Sequence, residues 1–176
     1  MSEVKTNKVS PSTGTAFTLG DSGDTFTLPS GATLTVSGTS TIASLGASTA
    51  SGTLSMADNI VSRPVVKDYG ETVNAIGAIG GGTQDIDLES GNVVTGTVDT
   101  STTTFTFSNP PTTGTAGSFT LILTNGGSQT VNWPAAVDWA GSTAPTLTTS
   151  GIDVITFTTI DGGTIWYGFA AGLDMG

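Results

Sequence analysis

The chain contains no cysteine and no histidine among its 176 residues. It therefore has no disulfide, no zinc site with His or Cys ligands, and no Ser-His or Cys-His nucleophile pair. It has no apolar run long enough for a transmembrane helix, and its opening MSEVKTNKVS lacks the apolar core of a signal peptide. These absences predict a protein that is made in a cytoplasm and is not inserted in a membrane.

Positive charge is scarce, and it is confined to one part of the sequence. All four cations lie in the first 67 residues, which are neutral overall because they also carry four acids: Lys5, Lys8, Arg63 and Lys67 against Glu3, Asp21, Asp24 and Asp58. Residues 68–176 carry ten acids and no cation, which accounts for the net charge of -10. Because phosphate contacts need Lys or Arg, no nucleic-acid partner is expected.

The abundant residues are Gly, Thr and Ser, and most Thr residues alternate with apolar ones. Thr and Val favour pleated strands, Gly and Ser favour turns, and no long stretch shows the 3.6-residue period of a helix. The composition therefore predicts an all-β protein. Regular alternation and a mean hydropathy of +0.15 argue against the competing interpretation, a disordered chain.

Residues 13–60 form a thin repetitive ribbon in which a Thr-Leu pair returns three times between the turns GDSGD and PSG. Burial of its few large side chains falls short of the cost of ordering the segment, so we expect it to fold against other copies or a larger assembly. We assign residues 1–66 to an extended N-terminal β-arm that anchors and trimerises the protein. Six large apolar residues are its candidate contacts with other subunits or with the shell of a larger assembly: Phe17, Leu19, Phe26, Leu28, Leu34 and Val36.

Residues 67–176 carry a denser pattern, with short candidate strands separated by turn signals. The eight candidates are Thr72–Ile76, Gln84–Leu88, Val93–Val98, Thr103–Phe107, Ser118–Leu123, Thr130–Trp133, Asp153–Ile160 and Ile165–Phe169. This spacing predicts an antiparallel β-sandwich, jelly-roll-like in its order. The clearest hairpin joins the last two strands through Asp161-Gly162-Gly163.

Carboxylates are the first candidates for chemistry. Asp85, Asp87 and Glu89 alternate and would project from one strand face, where several oxygens could hold Ca²⁺, although a solvated face is the simpler interpretation. A glycosidase pair would come from Asp138, Asp153 and Asp161, but each sits where Asp usually serves a turn or a cap. We expect no enzyme activity, no metal and no cofactor. The run Gly80–Gly82 lacks the residues of a phosphate-binding loop and is interpreted as a turn.

Aromatic residues are the second candidates. Trp133 and Trp139 flank the loop WPAAVDWAG, and exposed indoles can stack on sugar rings. The competing interpretation is that both fill the core or a subunit contact, as Trp commonly does.

Two stretches resemble known proteins. The opening, with KVSP followed by FTLGDSGDTFTLPSGATLTVSGT, resembles the N-terminal region of fibre-like virion proteins of tailed bacteriophages, notably marine and cyanobacterial ones. The motifs TFTFSNPP, GSFTLILT, TVNWP, APTLTTSG, DVITF and DGGTIWYGF resemble a β module found at the distal end of phage tail fibres. The resemblance implies a homotrimeric structural protein of the virion surface, docked by its arm on capsid or tail proteins.

Anchor and terminal module are joined almost directly in this chain, whereas long tail fibres separate them by hundreds of residues. This favours a short appendage: a capsid decoration or cement protein, a head fibre or a short tail fibre. The alternative is a host-glycan-binding adhesin domain of a tail fibre, with Trp139 and Trp133 as the glycan contacts.

Overall fold

The computed structural model describes Thr25, residues 27–33 and residues 60–176. The chain divides into two units, Met1–Val61 and Ser62–Gly176. In the described part of the first unit, the Ala32 amide donates to the Pro29 carbonyl at 3.0 Å, and Gly31 adopts a φ of 82° that suits glycine. This confirms the turn predicted at Pro29-Ser30-Gly31.

Of the six candidate contact residues in the arm, Leu28 is described, and its side chain is exposed. The other five lie outside the described residues: Phe17, Leu19, Phe26, Leu34 and Val36. Their role as subunit or shell contacts, and the assignment of residues 1–66 to an arm, stay predictions.

The second unit is built of nine strands and three short 3-10 turns, and the structure describes no α-helix in it. The strands are β1 Val73–Ile79, β2 Gly82–Asp87, β3 Val93–Val98, β4 Thr103–Ser108, β5 Gly117–Thr124, β6 Val131–Asn132, β7 Val137–Trp139, β8 Ile152–Thr159 and β9 Trp166–Met175. The 3-10 turns are Leu88–Ser90, Gly126–Ser128 and Ala140–Ser142. All eight strands expected from the sequence are present, and β7 is an addition.

The strands form two sheets between which the chain alternates. The six-stranded sheet has the order β1-β3-β5-β8-β9-β7, and the three-stranded sheet has the order β2-β4-β6. The chain thus passes through β1 to β6 as three successive strand pairs, and each pair gives one strand to each sheet. Register is maintained between the pairs, since Val93 of β3 lies between Val73 of β1 and Thr120 of β5.

This course corrects the expectation of an antiparallel sandwich. Five pairings are parallel, namely β1 with β3, β3 with β5, β2 with β4, β4 with β6, and β7 with β9. Parallel neighbours need a crossover connection, and for the four pairings among β1 to β6 the intervening strand in the opposite sheet supplies it. Between β7 and β9 the intervening strand, β8, lies in the same sheet. A jelly roll consists of antiparallel strands, so these pairings do not support a jelly-roll-like order.

The antiparallel part of the fold is confined to β5, β8 and β9. Strand β8 pairs along its length with β5, and it pairs on its other side with β9. The hairpin predicted at Asp161-Gly162-Gly163 is therefore confirmed. Both glycines have positive φ, and the Asp161 carboxylate accepts from the Ile165 amide at 3.0 Å across the turn.

The two sheets pack face to face around an aromatic core. Phe107 of β4 contacts Phe119 of β5 and Phe157 of β8, with ring centroids 4.9 and 5.0 Å apart. Trp166 of β9 lies 5.4 Å from the same ring and is buried. Aliphatic side chains complete the core: Ile79, Ile86, Val94, Val98, Leu121, Leu123 and Ile155. The all-β, sandwich-like architecture rests on this layer, because each sheet buries one face in it.

Candidate interaction surfaces

The outward side of the three-stranded sheet is a polar face, which we define by Thr83, Asp85, Asp87, Thr104, Thr106, Ser108 and Asn132. Alternation places these residues outward because Ile86 and Phe105 point into the core. The Asp85 carboxylate accepts from the hydroxyls of Thr106 and Ser108 at 2.7 and 2.5 Å. These bonds tie β2 to its parallel neighbour β4 along the surface.

Asp87 is held by hydrogen bonds from the loop after β4 and from the 3-10 turn that follows β2. Its carboxylate accepts from Asn109 Nδ2 at 2.8 Å and from the Glu89 amide at 3.0 Å. These two donors, the Asn109 amide group first, hold the pKa of Asp87 below its ordinary value. The side chain therefore caps the 3-10 turn Leu88–Ser90 and stays ionised at neutral pH.

The calcium hypothesis for Asp85, Asp87 and Glu89 required all three on one strand face, and that placement is wrong for Glu89. The residue lies in the 3-10 turn after β2, while Asp85 and Asp87 already accept hydrogen bonds from side chains of β4 and of the loop after it. Across residues 60–176, no cluster of three or more Asp or Glu side chains is arranged to hold a metal ion.

The three acids considered for glycoside hydrolysis have separate structural surroundings. Asp138 is exposed on β7, and Asp161 organises the β8–β9 turn, where the Ile165 amide holds the pKa of its carboxyl below the ordinary value. Asp153 is fully buried, and its carboxylate accepts from the Thr148 amide and hydroxyl, both at 2.7 Å, and from the Asp174 amide at 3.2 Å. Asp138 is therefore a surface residue, Asp161 a turn residue, and Asp153 a buried acceptor of hydrogen bonds.

Trp133 and Trp139 are half-buried against the core. The ring of Phe105 stacks on Trp133 at 5.4 Å, and both indoles approach Phe157 at 5.5 and 5.6 Å. Trp139 also covers Gly168, where an added Cβ would lie 2.7 Å from the indole. Much of each indole is therefore engaged inside the protein, which favours the packing interpretation of these residues over a sugar platform.

The outward side of the six-stranded sheet is an uncharged face. Its residues on β1, β3, β5, β8 and β9 follow from alternation with buried neighbours and from strand register: Val73, Ala75, Ala78, Val93, Thr95, Thr97, Ser118, Thr120, Ile122, Thr124, Ile152, Val154, Thr156, Thr158, Tyr167 and Phe169. None of them is charged. On edge strand β7, the same side of the sheet carries the exposed Asp138, which lies beside Tyr167 in register. Glu71 lines a depression of about 170 Å³ together with Ser118, Thr120 and Thr156.

Threonine has a different role on the two outward surfaces. On the polar face, Thr104 and Thr106 take part in side-chain hydrogen bonds with Asn132 and Asp85. On the uncharged face, within the described part of the chain, Thr158 makes a side-chain bond, to the Gly117 carbonyl. The remaining threonines there present their methyl groups and hydroxyls outward. The uncharged face is thus suited to contact with another surface.

The residue types at the outward strand positions indicate this face, although the search for catalytic and ligand-binding motifs did not. Strands β3, β5 and β8 include Val or Ile among their outward residues, whereas the outward residues of β4 on the polar face are Thr and Ser. Hydrophobic residues on both sides of a strand indicate cover on both sides.

Among the described residues, no helix has the length and apolar character needed to cross a membrane. Comparisons with protein-family models, with curated proteins and with solved structures find no match to this chain. The function is therefore argued from the two surfaces and from the sequence motifs.

Proposed function

We propose that the protein is a structural component of a bacteriophage virion, a homotrimeric surface protein that acts through subunit and shell contacts and without catalytic turnover. It serves as a capsid decoration or cement protein, a head fibre or a short tail fibre. The motifs of both chain ends support the virion assignment, through their resemblance to phage fibre proteins.

The observation that carries the interaction role is the uncharged face on a chain of net charge -10. Soluble proteins usually distribute charged residues over exposed sheet surfaces, and a contiguous uncharged surface marks a contact site. We further propose that the neutral, lysine-containing arm docks on the particle. The acidic β unit then faces solvent and neighbouring copies.

The test is a reconstruction of purified particles together with mass spectrometry of their proteins. We expect the chain in the particle at a site of three-fold or six-fold symmetry, on the shell for a decoration protein and on the tail for a fibre. Particles that lack the protein should melt at lower temperature if it is cement. Purified particles that contain no copy of the chain would contradict the proposal.

The second hypothesis is a host-glycan-binding adhesin. It is supported by the partial exposure of Trp133 and Trp139, which flank a short loop. A glycan array with the intact chain tests it, with Trp139→Phe as the matched variant that retains an aromatic side chain against Gly168. Specific binding that this variant weakens would support adhesion, and unimpaired adsorption by phage without the protein would refute it.

A further inference from the structure

An apolar patch with acids at its border lies on the β8–β9 hairpin. We define this hairpin patch as four large side chains that are between 39 and 58 % exposed: Ile160, Ile165, Tyr167 and Phe169. The exposed Asp138 lies beside Tyr167 in register on β7, and Asp161 lies in the turn between the two isoleucines. The patch therefore combines apolar surface with two carboxylates.

A segment of opposite charge precedes β1. We define this basic segment as residues 63–69, which read RPVVKDY. Its Arg63 and Lys67 are the only cations in the sequence of residues 62–176, against ten acids. Its large apolar side chains, Val65, Val66 and Tyr69, are all exposed, and Val65 is 99 % exposed. The segment thus combines positive charge with apolar side chains that one copy leaves unburied.

Strand register brings the patch and the segment to the same end of the six-stranded sheet. One row runs across the sheet through Val73, Val93, Thr120, Thr156 and Phe169. Because β1 runs in the direction of β5 and opposite to β8, the chain before Val73 leaves the sheet at the end that carries the β8–β9 turn. Four strand spacings, about 19 Å, separate β1 from β9 along this row.

The segment also approaches the sheet on the side that carries the patch. Glu71, two residues after the segment ends, lines the depression formed by the outward residues Ser118 and Thr156. The two oppositely charged surfaces therefore lie at one end and on one side of the same sheet.

We infer that the basic segment of one copy binds the hairpin patch of a second copy of this chain. Charge selects this occupant, because carboxylates border the patch and the segment holds the only cations of an otherwise acidic unit. The apolar side chains of both surfaces are exposed in one copy, and the contact removes them from water together.

The contact is head to tail, because it joins two different surfaces. Such contacts build a closed ring when the rotation between copies permits it, whereas a surface that meets itself builds only a two-fold dimer. Since both surfaces lie at one end of the sheet, three copies can meet there around one axis. The inference rests on the homotrimer of the proposed function and deepens it, by locating one subunit contact at the junction between the predicted arm and the β unit.

The first experiment measures the mass of the full chain by sedimentation and native mass spectrometry over micromolar concentrations. We expect trimers that weaken as salt is added, because exposed opposite charges are screened. Lys67→Glu and Asp138→Lys should each weaken association about 10-fold, and the chain with both changes should regain it, because the charges are then exchanged. The matched control Glu89→Lys reverses an exposed acid outside the patch and should leave association unchanged.

The second experiment locates the contact with introduced thiols, which are unambiguous because the chain contains no cysteine. In the double variant Val66→Cys/Ile165→Cys each surface carries one thiol, and a short thiol-reactive cross-linker should give covalent trimers on a denaturing gel. Either single variant alone should give no covalent oligomer, because like surfaces do not meet. An equimolar mixture of the two single variants should give covalent dimers.

Several results would overturn the inference. A full chain that stays monomeric at high micromolar concentration would do so, as would association that neither Lys67→Glu nor Asp138→Lys changes. A cross-link within one chain of the double variant would assign the patch to its own segment. Dimers from Ile165→Cys alone would show that the patch meets its own copy.

These outcomes are separable from those of the proposed function. Trimers that show no cross-link between the two surfaces would uphold the homotrimer and overturn this contact. A chain that is absent from purified particles and still forms the cross-linked trimers would uphold the contact and contradict the virion role.

Discussion

The outward surfaces of the two sheets are built from the same residue type and behave differently. Both present rows of threonine, but the three-stranded sheet adds Asp85 and Asp87, whose carboxylates accept bonds from Thr106 and Asn109. The six-stranded sheet adds Val, Ile, Tyr and Phe across five strands, and an acid, Asp138, only on its edge strand β7. The threonines of the polar face are therefore engaged in hydrogen bonds across the sheet, and those beside aliphatic residues belong to the surface that we propose as a contact site.

The largest effect on stability is expected from a substitution in the core against which both sheets pack. Phe157→Ala deletes a buried ring that contacts Phe107, Phe119, Trp133 and Trp139. We expect a loss of about 3–5 kcal/mol in the free energy of unfolding, measured by chemical denaturation. Phe169→Ala, on the outward side of the same hairpin, should cost less than about 1 kcal/mol in the monomer. Equal losses would show that Phe169 is covered by other residues of the same chain.

A smaller effect is expected from Asp153, the carboxylate that is buried among residues 60–176. Asp153→Ala removes the acceptor of bonds from Thr148 and Asp174, and it leaves the part-buried Thr148 amide without this partner, while the Asp174 amide keeps its bond to the Thr148 hydroxyl. We expect a loss of about 2–4 kcal/mol in the free energy of unfolding. Asp153→Asn keeps one acceptor oxygen and should retain part of that stability. A neutral Asp153→Ala would contradict the hydrogen-bond account of this buried acid.

The two surfaces should also respond differently to single truncations. Asp85→Ala removes two side-chain bonds to β4 and should destabilise by about 1 kcal/mol. Thr120→Ala, on the uncharged face, removes no such bond among the described residues and should change monomer stability by less than about 0.5 kcal/mol. Thermal melts of both variants at low protein concentration provide the measurement. A larger loss for Thr120→Ala would reverse the comparison.

The smallest effect is the response to acid. The folded-state pKa values of Asp87 and Asp161 are both lowered, so each contributes stability that is present above the unfolded pKa of 3.8 and is lost as pH falls through the folded value. The contribution of these two acids should therefore be level from neutral pH to about pH 5 and should fall below pH 3.8. Asp87→Asn and Asp161→Asn should each flatten this decline in a denaturation series. A decline that both variants leave unchanged would place its origin elsewhere.

Much of the fold was accessible from the sequence, because period-2 alternation and glycine turns are local signals. The eight expected strands and the Asp161-Gly162-Gly163 hairpin are present. Strand β7 was missed because it has three residues between Trp133-Pro134 and the turn at Gly141. Strand direction was wrong because alternation defines the two sides of a strand and does not specify which strand lies beside it.

The surfaces were less accessible, because their properties come from residues distant in the chain. Asp85 and Asp87 resemble metal ligands until Thr106, Ser108 and Asn109 are placed beside them by the parallel pairing of β2 with β4. Trp133 and Trp139 resemble a sugar platform until Phe105 and Phe157 are placed against them. The role of the arm residues Phe17 to Val36 stays a prediction.

Because the chain alternates between two sheets, each successive strand pair adds one strand to each sheet and acts as a repeating structural unit. From β1 to β6, the pairs are held by register to the pair before and the pair after, so removing or duplicating a whole pair preserves the pairing of the others. The β8–β9 hairpin lies downstream of this stack. Adding or removing a whole pair would therefore lengthen or shorten the stack and leave the hairpin unchanged.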